Sequence, residues 1–338
     1  MNAAKTVGIV EIGGKAVRLL VCSVSDQSLK VIRTGSALTN LSSISEERKD
    51  ALYEKMASIK SSVDEFMNRA QAYHCDNIVA FGTEALRRIQ QKQLYDLSKL
   101  GFKVSILTRK AEAFFSLVAA VKGLFGNMAE DKGILMIDLG SNSMEIAGGK
   151  VVKGALTMET YKSYKLGSEE LVALLKEAGR DFSRFQERIY KRVQSYEQVS
   201  RFMKPDHAVL LGSVASNATW LLERLKFEEV RNKPYDPKRI NGKHVRVEEM
   251  DLLVSNLLGA FSKDEHLVLK FLGYGEEVPE EFEKIVTGLM TISFVLRMYN
   301  VDSFRVSGQG TRYGVAWVLA AQGNDSADLA TLAKCKFV

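Results

Sequence analysis

The chain has 338 residues, room for two domains at about 150 residues each. Its 46% hydrophobic and 26% charged residues are the proportions of an ordinary globular protein, which excludes disordered and fibrous classes. Forty-seven basic against 41 acidic residues leave a net charge of +6, an excess that suits an anionic ligand but, with no clustered basic patch, argues against nucleic acid as a partner.

Taken in chain order, strand-like runs at 7–10 and 17–24 precede a helical pattern over 45–74. A strand at 78–81, a helix over 84–97, a strand at 104–107 and a helix from 110 follow. A second round opens with strands at 134–138 and 144–147, continues with helices over 168–178 and 184–199, and adds a buried strand at 208–212 and a helix over 216–225. The tail reads as a helix over 285–298, a strand at 303–306 and a helix over 314–321, while 227–246, with Pro234 and Pro237, reads as an irregular connection. This alternation predicts an α/β protein whose helices cover a largely buried sheet. The longest apolar runs, 133–137 and 208–211, fall far short of the ~20 residues that cross a bilayer, so no membrane association is expected. No secretory leader pattern opens the chain, and a cytoplasmic location is the expectation. Cys22, Cys75 and Cys335 are widely spaced without a CxxC pair, and His74, His207, His244 and His266 are scattered, so neither disulfides nor a histidine metal site is predicted. The basic segment from Arg180 to Arg201 spreads its charges along a helix and reads as a solvated face.

The two rounds superimpose. Val7 to Leu19 lies over Ile134 to Ile146 at a constant offset of 127 residues, so that Glu11 matches Asp138 and Gly13 matches Gly140. Each copy is an apolar strand, an acidic residue, an apolar residue, a glycine, three small or polar residues and a second strand, which predicts a β-hairpin. A glycine turn presents backbone N–H groups without side-chain obstruction, and such concave sets of donors bind phosphate oxygens. Gly140, Ser141, Asn142 and Ser143 form the richer turn; Gly13, Gly14 and Lys15 form one without hydroxyls, in which Lys15 offers a point charge. The carboxylate at the strand end suits a hydrated Mg²⁺ bridging to phosphate, a role for Asp138 and, in the first copy, Glu11. Two such turns facing one another across an interdomain cleft would grip a phosphate chain from both sides.

Five further segments recur with these turns: Gly82-Thr83-Glu84-Ala85-Leu86-Arg87-Arg88, Thr108-Arg109-Lys110-Ala111-Glu112-Ala113-Phe114, Tyr164-Lys165-Leu166-Gly167-Ser168-Glu169-Glu170-Leu171, Gly212-Ser213-Val214-Ala215 and Ser307-Gly308-Gln309-Gly310-Thr311-Arg312-Tyr313-Gly314. With Glu11-Ile12-Gly13-Gly14-Lys15-Ala16-Val17-Arg18-Leu19 and Asp138-Leu139-Gly140-Ser141-Asn142-Ser143-Met144-Glu145 they resemble, in order, the motifs of the exopolyphosphatase and guanosine pentaphosphate phosphatase family.

The resemblance implies two actin-like (ribonuclease H-like) domains, a first of residues 1–125 with 315–338 and a second of 126–314, and polyphosphate or guanosine pentaphosphate as substrate, with Mg²⁺. It implies hydrolysis of the terminal phosphoanhydride, with Glu112 as the general base that activates water. Arg87, Glu145 and Gly212 join the turns as phosphate-site residues, the guanidinium of Arg87 being able to hold two oxygens. A homodimer is expected, as in that family and in most oligomers. The sequence also departs from the family pattern. The first turn lacks the aspartate and both serines, and the segment before Glu112 is basic where the family is acidic. A catalytically impaired sensor of a nucleotide, alarmone or polyphosphate is therefore the alternative.

Overall fold

The computed structural model describes residues 4–41, 49–101, 103–126, 131–195, 205–223, 240–264, 279–322, 329–333 and 336–337. Two compact units emerge, one of residues 1–130, 152–158 and 309–338, the other of 131–151 and 159–308. Cys335, His266 and most of the expected connection at 227–246 lie outside the described residues.

In the first unit, strands β1 (Lys5–Ile12), β2 (Ala16–Val24), β3 (Leu29–Leu38), β4 (Asn77–Gly82) and β5 (Val104–Ile106) form a sheet in the order β3-β2-β1-β4-β5. β1 is antiparallel to β2 and parallel to β4, and β4 is parallel to β5. Val7, Ile9, Val10 and Ile12 are all buried, the continuous apolar run of a strand covered on both faces. Helix α1 (Lys49–Ala72) covers one face, packing Met56, Ile59, Val63 and Phe66 against Val10, Ile12, Val17 and Leu19. Gly8 lies in the same alternation, and a Cβ there would meet Ala70 of α1 at 2.8 Å. Helices α2 (Glu84–Gln91) and α3 (Arg109–Phe125) leave the ends of β4 and β5. α2 stops at Gln91, not at 97, because the chain turns through Gln93 at φ 51° into a short 3₁₀ turn, Leu97–Leu100.

The second unit repeats the plan. Strands β6 (Lys132–Leu139), β7 (Met144–Val152), β8 (Ala155–Tyr164), β9 (His207–Leu211), β10 (His244–Arg246) and β11 (Ser303–Val306) are joined by β12 (Lys336–Phe337) in the order β10-β11-β9-β6-β7-β8-β12. The sub-order β8-β7-β6-β9-β11 copies β3-β2-β1-β4-β5, and the hairpin registers match at the same offset: Glu11↔Arg18 becomes Asp138↔Glu145, and Ile12↔Val17 becomes Leu139↔Met144. Lys153 and Gly154, both at positive φ, turn β7 into β8 as a two-residue hairpin requires. Residues 152–158 belong to the first unit, where β12 pairs with Leu156 and Thr157. Helices α4 (Ser168–Glu177), α5 (Phe182–Gln194), α6 (Ser213–Leu222), α7 (Val247–Phe261) and α8 (Pro279–Met298) pack with Leu135, Ile137, Leu139 and Ile146 in one core. The three arginines of α5 meet carboxylates along its surface, Arg184 with Asp181, Arg188 with Glu177 and Arg192 with Glu170. Neither β3 nor β8 was anticipated; β3 carries exposed polar residues along an edge and lacks the apolar run that marks a central strand. Among the described residues, no helix is long and apolar enough to cross a membrane.

Helix α9 (Thr311–Gln322) closes the first unit against α3. The approach is close enough that a Cβ on Gly314 would stand 1.8 Å from the carbonyl oxygen of Phe115, and Ser116 and Thr311 share a buried hydroxyl–hydroxyl bond of 2.9 Å. Backbone cannot yield there as a flexible side chain can. Gly314→Ala is therefore expected to lower the unfolding free energy in urea by about 1–3 kcal/mol; an unchanged midpoint would show that the two helices are not in contact as described.

Candidate active site

Parallel strands deliver their following segments to one edge of the sheet. In the first unit Ile12 pairs with Gly82 and Gly82 with Ile106, so the turn at 13–16, the start of α2 and the start of α3 share the carboxyl edge. Thr108 caps α3 by accepting from the Ala111 N–H at 3.1 Å, which places Glu112 in the first helical turn, where the helix dipole favours a carboxylate.

Glu112 is paired and deeply buried. Its Oε2 lies 2.7 Å from Nη1 of Arg87, with the two side chains 11% and 6% exposed. Arg87 Nη1 also donates to the Leu107 carbonyl at 2.7 Å, while its Nε and Nη2 both donate to Oε2 of Glu84, at 3.0 and 2.9 Å. The other oxygen of Glu84 accepts from Arg109 Nη2 at 3.2 Å. The result is an alternating chain, Arg109–Glu84–Arg87–Glu112. Burial weakens the basicity of Arg87, but Glu112 and Glu84 outweigh it and raise its pKa above the ordinary value, so it stays charged. Burial also opposes ionisation of Glu84, yet hydrogen bonds from Arg109 and Arg87 hold its carboxyl below the usual glutamate value. Arg87, expected to contact phosphate, meets Glu84, Leu107 and Glu112 here.

The first turn is closed by Gly13 N–H donating to Ala16 O at 3.0 Å, and the Lys15 carbonyl accepts from the N–H groups of Thr39 and Asn40. Gly13 and Gly14 are buried and Lys15 is half-buried. Glu11 faces α9, where its Oε2 pairs with Arg312 Nε at 3.0 Å and Arg18 Nη1 at 3.8 Å. Two guanidiniums on this carboxylate occupy the place a divalent cation would take, so Glu11 does not fit a metal.

The second turn is more open. Gly140, Ser141 and Asn142 are half-exposed, and Gly140 N–H closes the turn on Ser143 O at 2.9 Å. Ser168 N–H and Glu169 N–H, at the head of α4, donate to the carbonyls of Gly140 and Ser141. Because a trans peptide sets its N–H opposite its C=O, the donors of Ser141 and Asn142 aim away from α4. Two glycines make this geometry possible. A Cβ on Gly167 would sit 2.3 Å from the Asn142 nitrogen, and Gly212, at φ +99°, lies against Leu139 O and beside Asp138 Oδ1. Asp138 is half-exposed at the strand end, a placement that fits the single protein carboxylate with which Mg²⁺ is held alongside phosphate and water. Among the described residues, no group of three or more His, Cys, Asp or Glu is arranged for a metal. Glu145, across the ladder from Asp138, is buried and accepts from Ser163 Oγ at 2.8 Å.

The partners of the functional groups were not evident as such. Glu84 could have been read three residues before Arg87 on one helix face. Arg312 stood in a quoted motif without a role, and Arg109 and Ser163 had no sequence signal.

The Ppx/GppA phosphatase family model matches residues 20–321. The chain belongs to the Ppx/GppA phosphatase family. The match begins after the first turn, which is where the motif departs most. The fold is shared with a Ppx/GppA family member from Aquifex aeolicus, at TM-score 0.73 and 19% identity over 96% of this chain and 100% of that one. It is also shared with an exopolyphosphatase from Cytophaga hutchinsonii, at TM-score 0.64 and 14% identity over 95% and 99% of the two chains. No curated protein sequence matches the chain significantly. The two units are accordingly actin-like domains, as the motif order implied.

The depressed pKa of Glu84 has a sign. A carboxylate whose folded pKa lies below its ordinary value of 4.5 stabilises the fold above that value and ceases to do so as the pH falls through the folded one. In urea unfolding, wild type should exceed Glu84→Gln most at neutral pH, and the gap should narrow as the pH falls below about 4. A gap independent of pH would contradict the pairing.

Proposed function

We propose that the protein is a phosphoanhydride hydrolase that releases the terminal phosphate of polyphosphate or guanosine pentaphosphate. What supports this reading most is Glu112, a buried carboxylate at the head of α3, fixed by Arg87, in a member of a phosphatase family. Hydrolysis of a phosphoanhydride needs an acceptor for the proton of the attacking water and compensation for charge on the phosphoryl oxygens. Glu112 is the proton acceptor. Its contact with Arg87, through Oε2, restrains the carboxylate at the head of the helix.

In the second unit, the turn at 140–143 is assigned to phosphate. The N–H groups of Ser141 and Asn142 are assigned to bridging and terminal phosphate oxygens, while the hydroxyl of Ser141 donates to Asn142 Oδ1 at 3.0 Å. Mg²⁺ held by Asp138 would supply neutralisation of phosphate charge. Glu145 is assigned to the support of the hairpin, since a carboxylate repels phosphate, and Gly212 to the close packing beside Asp138. In the first unit Gly13, Gly14 and Lys15 are assigned a lesser share, since that turn is buried and its acidic residue is neutralised by arginine. The same neutralisation, Glu11 on Arg312 at 3.0 Å, is the observation that favours the alternative of a binding protein with impaired turnover.

Phosphate release should be measured with Mg²⁺ from long-chain polyphosphate, guanosine pentaphosphate and ATP. Glu112→Gln is expected to lower turnover by about 10²–10⁴-fold, the usual contribution of a general base, with affinity nearly unchanged. Release by wild type no faster than by Glu112→Gln, with one of these ligands still bound, would replace the hydrolase by the sensor.

A further inference from the structure

We propose that Glu84 is a positioning residue for the reaction, acting on Glu112 through Arg87, and that Arg109 steadies it from outside. The inference rests on the assignment of Glu112 as the base. A lone Arg87–Glu112 contact would leave the guanidinium free to swing about its long side chain. Here both Nε and Nη2 converge on one oxygen of Glu84, at 3.0 and 2.9 Å, which fixes the guanidinium plane along one edge. With that edge held, Nη1 is left in contact with Leu107 O and Glu112 Oε2, each at 2.7 Å. Glu84 in turn is held at its second oxygen by Arg109, whose side chain is 41% exposed.

The arrangement also accounts for a departure that the function left unexplained. The segment before Glu112 is basic, and its first cation, Arg109, is the group that meets Glu84. Read along the chain that cation is a departure; in space it is one half of an ion pair with Glu84. The chain of alternating charges lets a buried guanidinium carry two carboxylates without leaving either uncompensated.

Glu84→Gln, Arg109→Gln, Arg87→Ala and the double variant Glu84→Gln/Arg87→Ala test this in the full-length protein, with kcat and KM for phosphate release measured well below each variant's unfolding temperature. Glu84→Gln is expected to lower kcat by up to about 100-fold, the effect of a base displaced by about an ångström, with KM within a factor of about two. Arg109→Gln should lower kcat in the same direction but less. The double variant should be no slower than Arg87→Ala alone, because Glu84 acts only through that arginine. Arg109→Gln removes a half-exposed side chain and guards against a trivial failure of Glu84→Gln to fold. An active wild type with Glu84→Gln at the same kcat, or with Glu84→Gln and Arg87→Ala effects that multiply, would overturn this inference and leave Glu112 as the base. A wild type with no release above Glu112→Gln would instead overturn the reading on which it rests.

Discussion

The pairing of Arg87 with Glu112 is the interaction on which the account of this protein turns. A carboxylate that is to take a proton from water must be ionised and fixed, and burying it alone would penalise its charge. The fold sets one guanidinium against Glu112 and then has to satisfy the guanidinium in turn. Glu84, the Leu107 carbonyl and Arg109 complete that requirement, so a single buried carboxylate draws on the starts of two helices and the end of a strand. The close seat of α9 on α3, with glycine at 314, holds the helix that bears Glu112.

Duplication explains why the two units share a plan and yet differ in chemistry. Both hairpins have the same register, the same turn closure and the same acidic position at the strand end. The second keeps an open turn whose carbonyls are tied to α4, with Asp138 beside it and Gly167 and Gly212 allowing backbone to approach. The first has become an interior feature, its turn buried and its Glu11 bound by Arg312 and Arg18. One copy has an open turn with a half-exposed carboxylate beside it, while in the other the carboxylate is paired with arginines of the same unit.

What was legible in the sequence follows from what is local. Central strands show as apolar runs, and the hairpin turns show as an acid followed by glycine and small residues, so the fold class and the repeat were readable. Edge strand β3 was not, because half its residues face water and carry Lys30 and Arg33. Helix α2 was read as too long because Leu94 and Leu97 continue an apolar pattern that Gln93 interrupts by its backbone, and no proline or glycine marks the stop. The role of Arg87 was the least legible. Its partners lie three, 20 and 25 residues away, and only the parallel pairing of β4 with β5 brings the starts of α2 and α3 together. Family motifs pointed to Glu112 as an expectation; they gave no partner for Arg109, which meets Glu84 across that edge.

The most direct test of the central claim, attack of water on the terminal phosphorus with Glu112 as base, is turnover in ¹⁸O-labelled water followed by mass analysis of the products. The account predicts a single labelled oxygen in the released phosphate, none in the shortened chain or nucleotide, and loss of the labelled product in Glu112→Gln. Label in the remaining chain, or labelled phosphate formed equally fast without the Glu112 carboxylate, would contradict it.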